Sequence, residues 1–122
     1  MSIFPTRILL ATDGSEEATL AARTAADIAD KTTSELHVVY TALIPVYGEF
    51  PSGRFEISEP VERELKNRAQ KFLDDRVKQI EAGGGTVAQA HLRLGRPDEE
   101  IVIQAEEIGA GLIVVGSRGL GG

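Results

Sequence analysis

The sequence predicts an α/β fold in three layers, an open parallel sheet with helices on both faces. Three observations predict it. Short apolar runs alternate with longer stretches of helical period along the chain. The first and last runs, Arg7 to Thr12 and Leu112 to Val115, are apolar almost throughout, as strands covered on both faces are. Strands joined by helices lie parallel, because a parallel pair needs a crossover of helical length.

The elements follow in order. Arg7-Ile8-Leu9-Leu10-Ala11-Thr12 is the first strand, broken by Asp13-Gly14-Ser15. Ser15 can cap the helix that follows, with Glu16 and Glu17 in its positive first turn. Ala18, Ala21, Ala22, Ala25 and Ala29 then share one face, a small-residue stripe that lets a helix lie close to a sheet. Glu35 to Tyr40 reads as the second strand.

A second helix begins near Ser58 and Glu59, with Pro60 tolerated in its first turn. Val61, Leu65, Ala69, Phe72, Leu73, Val77 and Ile80 form its apolar face. Glu62–Lys66, Glu64–Arg68 and Asp74–Lys78 are i,i+4 pairs on the wet side. Gly83-Gly84-Gly85 ends it. Thr86 to Leu94 alternates, with Ala88, Ala90, Leu92 and Leu94 against Gln89, His91 and Arg93, which predicts an edge strand with one face in water.

Gly95-Arg96-Pro97 turns into a third helix with Asp98, Glu99 and Glu100 at its start, Ile101, Ala105 and Ile108 inward, and Gly109 at its end. Leu112 to Val115 is the last strand. The order β-α-β-α-β-α-β gives a Rossmann-like sheet of four strands.

Composition narrows the function. A chain of 122 residues with 42% hydrophobic content supports one domain, residues 1–122. The net charge of -6 and 13 scattered basic residues disfavour a nucleic-acid backbone. No apolar stretch has the length of a membrane span, and no secretory signal opens the chain. With no cysteine there is neither a disulfide framework nor a thiolate metal site. A soluble cytoplasmic protein is the expectation, binding neither nucleic acid nor membrane.

Ligands of open parallel sheets bind at the carboxyl ends of the strands, where the strand order reverses. Two such ends carry chemistry. Gly116-Ser117-Arg118-Gly119 follows the last strand directly; its glycines can expose N–H groups as a nest for phosphate oxygens, with a hydroxyl and a guanidinium as further donors. Its other reading is a plain turn or tail, four of the last seven residues being glycine. Asp13 can accept from a ribose or hold a divalent cation, or equally cap the next helix. No Walker-type loop occurs. His37 and His91 lack a ligand-spaced partner, and are expected as a sheet histidine and a solvated edge histidine. The G-x-S-x-G elbow is absent, and no general base for water attack can be named, so an enzyme is not expected. The long connection Thr41 to Ile57 holds three of the six aromatics, Tyr47, Phe50 and Phe55, and reads as a loop pinned by its rings or as a functional lid.

These segments resemble the universal stress proteins. Arg7 to Ser15 is similar to their opening strand and turn, His37-Val38-Val39 to their second strand, and Gly95-Arg96-Pro97 to their third turn. Leu112 to Gly119 is similar to their fourth strand and the first half of a G-x-x-G, nine-residue, G-[S/T] phosphate loop. The resemblance implies a five-stranded sheet, and hence that this chain lacks a C-terminal strand. It further implies a homodimer and ATP as ligand, with Mg2+ as an optional companion ion. It places the backbone of Val38 and Val39 against adenine, Ala11, Thr12 and Asp13 beside base and ribose, and Gly116, Ser117, Arg118 and Gly119 around the phosphates. A nucleotide-independent dimeric module of the same family and an adenylating or pyrophosphatase-type enzyme are the alternatives. The enzyme would want a glycine-rich loop after the first strand, where Thr12 to Glu16 is acidic instead.

Overall fold

The computed structural model describes residues 2–13, 15–42, 47–50, 53–56 and 59–116. The chain runs β1 (Arg7–Thr12), α1 (Glu16–Thr32), β2 (Glu35–Ala42), β3 (Tyr47–Phe50), β4 (Gly53–Glu56), α2 (Glu59–Ala82), β5 (Gln89–Leu94), α3 (Pro97–Ile108) and β6 (Leu112–Val115). β5, β2, β1 and β6 form one parallel sheet in that order. The α/β class predicted from periodicity is the observed one.

Side-chain alternation splits the core in two. Ile8, Leu10, Leu36 and Val38 face α1 and α2, where they meet Ala21, Ala22, Ala25 and Ala29 of α1 and Leu73 and Ile80 of α2. Leu9, Ala11 and Val39 face α3, packing on Ala105 and Ile108. The alanine stripe is buried as its spacing predicts, which keeps α1 close to β1. Ser15 caps α1, its hydroxyl accepting from the Ala18 amide at 3.1 Å. Gly109 closes α3 at φ 67, a left-handed position that suits glycine.

Three expectations are corrected. The Thr41 to Ile57 connection contains an antiparallel hairpin, β3 paired with β4 from Tyr47↔Glu56 to Phe50↔Gly53. Its side chains, Tyr47, Phe50 and Phe55 included, lie outside the described residues. Four-residue strands are too short to show a period, which is why the sequence reads as loop. On α2, Glu62–Lys66 and Glu64–Arg68 pair as expected, at 3.0 and 2.9 Å, but Asp74 accepts from the Gln70 amide. The α2 stripe is also wrong at both ends of its logic: Val61 is exposed, while the charged Arg76 is buried.

β5 is an edge strand, as alternation predicts, but its presumed wet side is half-covered. His91 and Arg93 are half-buried: His91 lies against His37, and the Arg93 guanidinium donates to Glu100 at 2.7 Å, Gln104 at 3.0 Å and Glu107 at 3.2 Å of α3. The Glu100 bond, more than any other influence, holds the Arg93 pKa above its ordinary value. β6 shows the reverse. Its four apolar residues form the other edge, where Leu112 and Val114 pack on the α1–α2 core while Ile113 and Val115 stand exposed on the α3 side.

Candidate functional site

The strand order β5-β2-β1-β6 reverses between β1 and β6. β1 is followed by β2 on one side, and β6 returns on the other, so the loops leaving β1 and β6 diverge and open a crevice. Register sets what lines it. Ala11 sits opposite Val115 in β6 and opposite Val39 in β2. Thr12, Asp13 and Gly116 therefore leave the sheet side by side.

Asp13 is exposed, and its carboxylate Oδ1 accepts from the Ser15 amide at 2.8 Å and from the Ser15 hydroxyl at 2.6 Å. Ser15 in turn caps α1. This relay shapes the β1–α1 turn: aspartate orients serine, and serine holds the helix N-terminus. The capping role weighed for Asp13 is thus filled at one remove.

Arg76 completes the turn, and sequence reading missed it. From α2 its Nη2 donates to the Asp13 carbonyl at 2.9 Å, while Nη1 donates to Thr19 Oγ1 and Gln79 Oε1, each at 3.1 Å. The side chain is only 7% exposed, and its Nε is buried with no partner among the described residues. A buried guanidinium held by neutral oxygens is costly, and in return it ties three elements together. A cation at the centre of a predicted apolar stripe, flanked by Leu73 and Ile80, was the available signal.

Val38 and Val39 lie in mid-strand, with side chains fully buried on opposite faces of the sheet. β2 continues three residues beyond them to Ala42. Near that end Thr41 Oγ1 is buried and has no partner among the described residues. Gly14, Ser117, Arg118 and Gly119 lie outside the described residues. An open groove of about 620 Å3 runs between α1 and the end of α2, past Arg23, Asp27, Asp30, Gln79 and Gly84. Among the described residues no strand end contributes to it, and its walls mix both signs of charge. Among the described residues no group of three or more His, Asp or Glu side chains is placed to hold a metal ion.

Fold and crevice together define a doubly wound α/β domain whose strand order reverses at the carboxyl ends of β1 and β6. The family model described as the universal stress protein family matches residues 5–122, and the chain belongs to that family. It is 31% identical over 121 residues to the universal stress protein YxiE of Bacillus subtilis, covering 95% of this chain and 81% of that protein. A universal stress family protein from Burkholderia pseudomallei shares the fold at TM-score 0.73 and 25% identity, over 99% of this chain and 88% of that one. The universal stress protein from Archaeoglobus fulgidus, solved in complex with dAMP, matches at TM-score 0.67 and 24% identity, over 93% and 82% of the two chains. Among the described residues no helix is long and apolar enough to cross a membrane.

Proposed function

We propose that this protein binds an adenine nucleotide, ATP, at the carboxyl ends of β1, β2 and β6. It then acts through occupancy rather than turnover, as a cytoplasmic stress-response or regulatory homodimer. The observation that carries the reading is the reversal of strand order between β1 and β6, with Ala11 in register with Val115. That register sets Asp13 beside the start of the Gly116 to Gly119 loop, the two features the ligand needs. The complex of the Archaeoglobus fulgidus relative with dAMP supports the same ligand class.

On this reading Ala11 and Thr12, at the end of β1, form the floor of the site, and the exposed Asp13 carboxylate meets a ribose. Gly116, Ser117, Arg118 and Gly119 serve the phosphates through backbone amides, a hydroxyl and a guanidinium. Val38 and Val39 are paired with β1 on one side and β5 on the other, so the base meets β2 beyond them rather than at their backbone. Thr41, whose buried hydroxyl lacks a partner among the described residues, offers a hydrogen bond further along the same strand.

Mass spectrometry of small molecules released from the purified protein, followed by calorimetric titration with ATP, tests the reading. A bound or titratable adenine nucleotide is expected; a protein that neither carries nor takes up one refutes the proposal. Asp13→Asn refines the test. The amide oxygen can still accept from Ser15, so the cap survives while the charge goes. Affinity should fall about ten- to a hundredfold, the value of a hydrogen bond to a charged group. Unchanged affinity would leave Asp13 with its turn-forming role alone.

A further inference from the structure

His37 and His91, 54 positions apart, meet across the β2–β5 seam. His37 Nδ1 and His91 Nε2 lie 3.2 Å apart. The ring planes differ by 6° and the centroids are 5.4 Å apart. The centroid separation exceeds the N···N distance by about two imidazole radii, so the rings meet end to end rather than face to face. This is the geometry of an N–H···N hydrogen bond. It is unsuited to a bridging metal, because the two lone pairs oppose each other across a gap too short for two metal–nitrogen bonds of about 2.0–2.1 Å each in line. His37 is 4% exposed, and its other nitrogen, Nε2, lies 3.1 Å from Glu35 Oε1. The partners assign the protons. His37 Nε2–H donates to the ionised Glu35, His37 Nδ1 keeps its lone pair, and His91 Nε2–H donates to it.

We infer that His37 and His91 form a proton-sharing latch that fastens edge strand β5 to β2 and releases it on acidification. One added proton is accommodated by an imidazolium–imidazole pair, which keeps a single N–H···N bond. A second proton is not: both facing nitrogens then carry hydrogens and no lone pair remains between them. Among the described residues, charges stand on each side of the pair. From β2 and β1 come Glu35 and Arg7, whose Nε lies 3.5 Å from Glu35 Oε1; from β5 comes Arg93; from α3 come Glu100 and Glu107, paired with Arg93 at 2.7 and 3.2 Å. Two cations and three carboxylates leave one surplus negative charge, one fewer than the two positive charges of a doubly protonated pair.

β5 is the strand such a latch would matter to. Gln89 and Ala90 are exposed, Leu94 is 36% exposed, and among the described residues β5 has β2 as its one strand neighbour. Few buried apolar contacts mean a low local free energy of opening.

Burial above all, then the His37 charge and Arg93, lower the pKa of His91, with Glu107 opposing them. A histidine whose folded pKa is depressed stabilises fully above its unfolded value of about 6.5, and that contribution is lost as pH falls toward the folded value. The hydrogen bond from His37 chiefly, and Arg7 as well, lower the Glu35 pKa, so Glu35 stays ionised through the histidine range.

The test is amide hydrogen exchange on the whole chain from about pH 8 to pH 5, the histidine range, corrected for intrinsic rates, with side-chain 15N spectra of both rings. The β5 amides should open at least about tenfold more often at the acid end, the equivalent of one unit of pKa shift, while β1 amides do not. At neutral pH the spectra should show one fixed tautomer for His37. His91→Gln keeps an amide donor for His37 Nδ1 but cannot titrate, and its β5 protection should be flat with pH. The latch is overturned if β5 and β1 respond alike in the wild type, if the rings titrate as independent groups, or if the His91→Gln protein loosens as much as the wild type. The wild-type measurements decide the matter even if the variant folds poorly.

Discussion

Arg76 offers a direct way to separate packing from charge, because its stem and its head do different things. Arg76→Met retains an unbranched stem of similar length and removes the guanidinium. The lost bond to the Asp13 carbonyl was charge-assisted, in the class of about 1.5–3 kcal/mol. The other two acceptors sit on exposed residues, Thr19 and Gln79, and water replaces the donor there. Against this loss stands release of the guanidinium's desolvation cost, several kcal/mol for a buried ion. The two nearly cancel, so Arg76→Met should change unfolding free energy by no more than about 1 kcal/mol. Arg76→Ala shares that balance but also removes two buried methylenes, about 0.8 kcal/mol each, and leaves a cavity, for a loss of about 2–3 kcal/mol. Urea unfolding with a common m-value measures both. In each variant the Ser15 amide should also exchange faster, because the Asp13 carbonyl is no longer held from α2. If the methionine protein is destabilised as much as the alanine protein, the near-cancellation is wrong and the guanidinium bonds outweigh their desolvation. If Ser15 exchange is unchanged in both, Arg76 does not organise the turn.

Other substitutions probe the frame around the site. Ser15→Ala removes the cap of α1 and should cost about 1 kcal/mol in urea unfolding, with faster exchange at Ala18; a loss below about 0.3 kcal/mol would mean water caps the helix equally well. Leu73→Ala, at a side chain with no exposure that joins α2 to the sheet, should cost about 2–5 kcal/mol; a loss under about 1 kcal/mol would mean α2 collapses into the space. Gly119→Val should weaken ATP more than adenosine by calorimetry, since a branched side chain blocks approach of phosphate to backbone amides; equal losses would show that the loop does not read phosphate.

Local physics made most of the frame legible. Two short apolar runs bounded by turn residues read as strands, the alanine stripe read as a helix pressed on a sheet, and Ser15 and Gly109 marked helix ends through backbone chemistry that acts within a few residues. The β3–β4 hairpin was invisible because four-residue strands carry no period. The order β5-β2-β1-β6 was invisible for another reason: parallel strands find neighbours through crossovers, and no local signal says on which side of β1 the chain returns. That choice put Asp13 beside Gly116 and left Ile113 and Val115 uncovered. Arg76 was passed over and His91 read as a solvated edge residue, since a sequence shows the cost of burying each but not the partner that offsets it. Residue type and spacing determined the elements and the chemistry available at their ends; the tertiary structure alone decided which ends meet, because hydrogen bonds such as Arg76 to the Asp13 carbonyl and His91 to His37 join atoms more than fifty residues apart.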